Sequence, residues 1–160
     1  VISKRQWDKI QGLINKGIKE GATVVAGGPG KPDGLATGYY VKPTVLANVS
    51  NDKTVAREEI FGPVLVMIGY DTVDEAVQIA NDTPYGLAAY VSGTDVDATR
   101  KVAARLRAGQ VNINSAAPDF MAPFGGYKQS GNGREWGDHA FAEFLEVKAM
   151  LGFAPKPAAN

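Results

Sequence analysis

Between Val64 and Asn114, short apolar runs alternate with amphipathic helical stretches, and this alternation constrains the fold more than any other feature of the chain. Val64 to Tyr70 reads as a buried strand. Thr72-Val73-Asp74-Glu75 has capping-box spacing and opens a helix to about Asn81, and Leu87 to Val91 is a second strand. Thr94 or Asp95 caps a helix carrying Val96, Val102 and Leu106, Gly109 stops it, and Val111 to Asn114 is a third strand. A β-α-β-α-β order with short strands calls for an α/β fold, with a parallel sheet, right-handed crossovers and helices on its faces. Sites in such folds lie at the carboxyl ends of strands. The long segment after Asn114 therefore leaves the sheet at its functional edge and is too long for a simple connection.

The flanks fill in around this core. Ser3 and Gln6 have capping-box spacing, with Ile2 and Trp7 placed for a hydrophobic staple. Trp7, Ile10, Leu13, Ile14 and Ile18 recur at helical spacing up to Gly21, which predicts an amphipathic helix over residues 4 to 20. Thr23 to Ala26 is a short β-type run, and the Gly- and Pro-rich stretch after it is a loop. Tyr39 to Leu46 is extended but contains Pro43, which suggests an edge strand. A short helix is expected around Arg134 to Ala142. Phe144 to Leu151 alternates like a strand, with no evident partner in the chain. The organisation expected is residues 1 to 142 as one domain portion, 143 to 152 as a separate strand, and 153 to 160 as a disordered tail.

Composition removes several classes of function. The 160 residues carry 17 basic and 17 acidic side chains, so nothing electrostatic favours nucleic acid or an anionic membrane surface. There is no cysteine, hence no disulfide, thiolate metal site or cysteine nucleophile among these residues. The single histidine, His139, cannot build a two-histidine zinc site, and with no second imidazole or partner motif it does not read as a triad member. The longest apolar run, Val64 to Ile68, is too short to span a bilayer, and the N-terminal residues lack a signal-peptide core. A cytoplasmic location is the consistent expectation. The chain starts without methionine at a helix entry, as a piece of something longer would.

Two stretches are candidates for chemistry. Pro123 to Glu135 contains four glycines and two cations. Gly131, Gly133 and, just beyond the stretch, Gly137 approximate a dinucleotide fingerprint, but no strand precedes them. A phosphate-loop frame from Gly126 to Gly131 has Asn132 where lysine is needed and no hydroxyl residue to follow it. The alternative is a loop whose glycines permit positive φ and close backbone approach. The second stretch is Arg57-Glu58-Glu59-Ile60-Phe61-Gly62-Pro63. Its adjacent carboxylates point apart in extended chain, so they are no acid/base pair. Glu59 and Phe61, two apart before a Gly-Pro turn, would project from one side, a pairing suited to a ribose bearing a flat heterocycle.

Taken together, Glu58-Glu59-Ile60-Phe61-Gly62-Pro63-Val64, Asn81-Asp82-Thr83-Pro84-Tyr85-Gly86-Leu87, Ala108-Gly109-Gln110-Val111-Asn112-Ile113-Asn114 and the stretch Pro123 to Glu135 resemble, in order and spacing, signatures of the NAD(P)-dependent aldehyde dehydrogenase superfamily. Gly38 to Val45 resembles it too. The resemblance implies that Glu59 binds the nicotinamide ribose hydroxyls and that Phe61 steadies the nicotinamide of NAD or NADP. It implies that Phe124, with Asn114 at the strand end, faces the aldehyde substrate, and that Glu135 helps relay protons. A helix N-terminal carboxylate is the plain alternative for Glu135.

In the family a cysteine thiolate attacks the aldehyde to give a thiohemiacetal, hydride passes to nicotinamide, and a base-activated water hydrolyses the thioester. The nucleophile, the general-base glutamate, the asparagine oxyanion donor and the cofactor domain would all precede residue 1. The expectation is thus the C-terminal part of such an enzyme, inactive by itself, with residues 144 to 151 joining an oligomerisation sheet in a homodimer or homotetramer. Two other readings stand beside it: a free-standing nucleotide-binding module using the glycine loop, and a piece that only associates with a partner subunit. Which aldehyde, and NAD against NADP, are not legible.

Overall fold

A computed structural model describes residues 1 to 152 and divides the chain into two compact units, Val1–Thr83 and the part from Pro84 onward. The expected disordered tail, residues 153 to 160, lies outside the described residues.

In the first unit, α1 (Lys4–Lys19) begins where expected, with the Ser3 hydroxyl accepting from the Gln6 amide, and ends before Gly21 at φ 99°. The staple does not form: Ile2 is 96% exposed. β1 (Thr23–Ala26), β2 (Thr44–Ala47) and β3 (Val64–Val66) form one sheet in that order, β1 antiparallel and β3 parallel to β2. This corrects the edge-strand expectation. Pro43 sits just before β2, so its missing N–H falls outside the ladder and β2 occupies the centre. A short helix, α2 (Thr54–Arg57), precedes β3, and α3 (Val73–Asn81) follows it, capped by Thr72 accepting from the Glu75 amide as its spacing predicts. Ile10 and Ile14 of α1, Leu46 of β2, Val55 of α2, and Val41, Val49 and Ile60 make the core. The Glu20 carboxylate, one residue past α1, accepts from both the amide and the hydroxyl of Thr54 at the start of α2. Those two bonds hold its pKa below the ordinary value.

The second unit holds β4 (Ala88–Val91), α4 (Val96–Ala103) and β5 (Gln110–Ile113), with β4 and β5 parallel and Asp95 capping α4. The α/β class and the parallel pairing are as expected. The single run of three parallel strands is not: β3 pairs with β2 and β4 with β5, giving two sheets.

One further expectation fails past Gly133. The helix over 134 to 142 is replaced by single 3-10 turns at Gly137–His139 and Ala142–Phe144. Trp136 at φ 69° and Gly137 at φ 56° lie outside helical backbone, so no α-helix can run through them. In the single chain residues 145 to 150 pair with no strand among the described residues, and Val147 is 99% exposed; strand geometry there requires a ladder partner.

Candidate functional site

The first candidate segment is built by α1. From the helix, Gln6 Nε2 donates to the carbonyls of Phe61 (2.7 Å) and Ile60 (3.3 Å), and Lys9 Nζ donates to that of Glu59 (2.7 Å). Gln6 therefore does not complete a capping box; its side chain crosses to a loop more than fifty positions away. Ile60 is buried in the core between two exposed neighbours, Glu59 and Phe61. Gly62 lets Ile10 come close: a Cβ there would stand 2.5 Å from Ile10 Cδ1. Anchored on both sides, Phe61 is held at φ 56°, a left-handed backbone that costs an aromatic residue on the order of 1–3 kcal/mol.

The outcome of that strain is display. Phe61 is 72% exposed, and the Glu59 carboxylate has no partner among the described residues. An open groove of about 530 Å³ runs beside Phe61, lined also by Ser3, Arg5, Gln6 and Lys9. A free carboxylate accepts hydrogen bonds only, which suits a vicinal pair of hydroxyls, and an exposed ring offers its face to a flat heterocycle.

The second segment is built from backbone lying on backbone. The Gly86 carbonyl, just before β4, accepts from the amides of Gly109 (3.0 Å) and Tyr127 (2.9 Å), and the Gly86 amide donates to Ser130 Oγ at 3.0 Å. A Cβ on Gly109 would lie 1.7 Å from the Gly125 carbonyl oxygen, and one on Gly125 would lie 2.0 Å from that of Gly133. These glycines serve close approach, and the amides of Tyr127, Gln129, Ser130 and Gly131 all donate to chain carbonyls. That commitment weighs against a phosphate cradle. Phe124 and Glu135 exchange two backbone hydrogen bonds of 2.7 Å each, so Glu135 sits in an antiparallel bridge and not at a helix N-terminus. Arg134 Nη1 gathers the carbonyls of Gly133 (2.8 Å), Gly126 (2.9 Å) and Asn132 (3.1 Å), and its guanidinium lies 5.4 Å from the Tyr127 ring centre.

The bridge brings Phe124 and Glu135 to one cavity of about 300 Å³, lined as well by Leu87, Arg134, Glu143 and Phe144. Phe124 is half-buried and Glu135 exposed. Asn114 is placed differently. Directly after β5, at φ 51°, its amide donates to the Gly93 carbonyl (3.0 Å) and accepts from the Gly93 amide (2.9 Å). Both ends of that side chain are engaged on the chain itself, which suits a clamp on the β4–α4 turn more than a substrate contact. Gln6, Lys9, Arg134 and Trp136 are the supporting residues that sequence reasoning passed over. For Gln6 the capping-box spacing pointed elsewhere, and no local signal marked its distant partner.

A model of the Aldehyde dehydrogenase family matches residues 1–150. An aldehyde dehydrogenase homologue of Staphylococcus haemolyticus is 57% identical over 153 residues, which cover 96% of this chain and 32% of that protein. Among solved structures, a cysteine-to-alanine variant of aldehyde dehydrogenase C from Pseudomonas syringae, in complex with NAD+ and octanal, superposes with a TM-score of 0.93 at 55% identity, covering 98% of this chain and 32% of that one. An NAD+ complex of a Mycobacterium tuberculosis aldehyde dehydrogenase gives 0.88 at 47% identity, covering 97% and 32%. The chain thus spans about a third of the length of the relatives it matches. With its motifs in order, its fold shared and the family model matched over nearly its whole length, the chain belongs to the aldehyde dehydrogenase family.

Proposed function

We propose that this chain is the C-terminal third of an NAD(P)-dependent aldehyde dehydrogenase, and that it supplies one edge of the cofactor site and one wall of the substrate pocket. The observation that carries this reading is the Glu59-Ile60-Phe61 segment. Ile60 is buried, Phe61 is held outward in strained backbone, and the Glu59 carboxylate has no partner among the described residues. Such an arrangement fits the ribose and nicotinamide of a dinucleotide. NAD, present in the complexes of the relatives, supplies hydride acceptance when bound.

The chain's own residues divide the remaining tasks. Glu59 accepts hydrogen bonds from two adjacent hydroxyls and so fixes the sugar. The Phe61 ring limits where a flat ring beside that sugar can lie. Phe124 walls the pocket for the aldehyde, and Glu135, bridged to it by backbone, offers a carboxylate on the same cavity that can take up and return a proton. No thiol is available among these residues, so bond-making at the carbonyl falls to a cysteine elsewhere in the enzyme, and the isolated chain is inactive. The same reading makes residues 143 to 152 a strand that pairs with a neighbouring subunit of a cytoplasmic homo-oligomer. Its exposed apolar side chains, including Phe144, Leu145, Val147 and Leu151, are what such pairing would cover.

The test is Glu59→Gln in the full-length enzyme. The reading predicts a raised KM for NAD with aldehyde KM little changed. An unchanged cofactor KM and kcat would contradict it.

A further inference from the structure

The strongest backbone anomaly of the second unit falls on an aromatic residue beside the pocket. Trp136 has φ 69° and ψ 159°, a region in which essentially only glycine is comfortable. Its ring lies between two others: Phe124 at 4.8 Å between centres and an interplanar angle of 28°, and Phe120 at 4.8 Å and 59°. The neighbouring positions pin this geometry. Glu135 is bridged to Phe124 through two backbone bonds, and a Cβ on Gly137 would stand 2.2 Å from the Met121 carbonyl oxygen. Phe120 and Met121 are themselves 68% and 74% exposed, so the cluster presents apolar surface and does not bury it.

We propose that Trp136 is a positioning residue that sets the plane of the Phe124 ring, and that the Phe120–Trp136–Phe124 cluster selects aldehydes with medium-chain alkyl or aromatic tails over short ones. The proposal rests on the aldehyde dehydrogenase reading above. Its logic is one of cost and placement. A tryptophan in glycine's backbone region is unfavourable for folding, yet here it places a large flat face against Phe124, which lines the cavity with Glu135. Stacked rings fix one another's planes, and a fixed ring discriminates between tails that lie along it and tails too short to reach it.

The backbone anomaly supplies a test that separates positioning from mere structure. In the full-length enzyme, Trp136→Gly removes the ring and relieves the backbone. It should leave the chain at least as resistant to denaturant as before, while kcat/KM for octanal falls about tenfold or more relative to that for acetaldehyde, carried by KM and not kcat. Trp136→Phe should restore most of that ratio, and Phe120→Ala, which leaves the Trp136 backbone untouched, should lower it in the same direction. Equal losses on both aldehydes, or a destabilised Trp136→Gly variant with an unchanged octanal to acetaldehyde ratio, would overturn the proposal. Wild-type enzyme inactive on every aldehyde would instead overturn the reading beneath it, a result distinct from an active enzyme whose ratio ignores Trp136.

Discussion

Glu59-Ile60-Phe61 is held by side chains that reach it from α1, whereas Phe124 and Glu135 are held by backbone packed against backbone. Both segments present an aromatic ring and a carboxylate two or more positions apart, and each has an aromatic residue at positive φ in it or directly after it, Phe61 and Trp136. Their supports differ in kind. Gln6 and Lys9 are long, rotatable side chains whose bonds can be remade over small displacements, so the segment they hold can adjust. The contacts at Gly86, Gly109 and Gly125 allow no such adjustment, because the carbonyl oxygens of Arg107, Gly125 and Gly133 sit where a side chain would be. The Phe124–Glu135 segment is the rigid one, and the Glu59–Phe61 segment is the adaptable one.

That contrast can be broken at its rigid end first. Gly109→Ala or Gly125→Ala would force a methyl group into a carbonyl oxygen and should destabilise the chain by about 3 kcal/mol, read from denaturant unfolding. Gly131→Ala is the control within the same loop. Its backbone is left-handed at φ 95° but its surroundings are open, so only the conformational cost of about 1 kcal/mol should appear. Equal effects at the three sites would mean that close approach does not hold this loop. At the adaptable end, Gln6→Ala strands two carbonyls and should cost about 1 kcal/mol. Amide exchange should quicken around Ile60 to Val64 and stay unchanged at the Phe124–Glu135 bridge.

The smallest effect concerns pH and the support beneath the first segment. Glu20 has its folded pKa lowered by the two bonds from Thr54, so its contribution is fully present above the unfolded carboxylate value and is lost as pH falls through the folded one. Thermal midpoints should therefore decline on acidification, and Glu20→Gln should flatten part of that decline. An identical pH profile for the variant would remove Glu20 from the account.

What the sequence disclosed follows the range of each interaction. The caps at Ser3, Thr72 and Asp95 were legible because each bond spans two or three residues. Asp95 against Thr94 stayed open only because both residue types cap well. The centrality of β2 was not legible: Pro43 reads as an edge marker unless the strand is known to begin one residue later. The same holds for the split of the sheet, since strand partners are chosen by tertiary packing and not by the strand's own pattern. At the site, Glu59, Phe61, Phe124 and Glu135 were named through motif resemblance, while their supports were hidden. Gln6 reaches its partner across the fold, and nothing in the local sequence marks Trp136 as occupying glycine's backbone. The glycine-rich loop suggested positive φ and close backbone approach in general, without revealing which glycines serve which or that the neighbour at Gly125 is the Gly133 carbonyl.

The central claim is that this chain shapes a dehydrogenase site without performing its bond-making step. The most direct measurement is cofactor reduction by the purified 160-residue chain, supplied with NAD+ or NADP+ and a panel of aldehydes from acetaldehyde to octanal and benzaldehyde. The account predicts no reduced cofactor above an aldehyde-free control. Sustained, aldehyde-dependent formation of NADH or NADPH by this cysteine-free chain would contradict it.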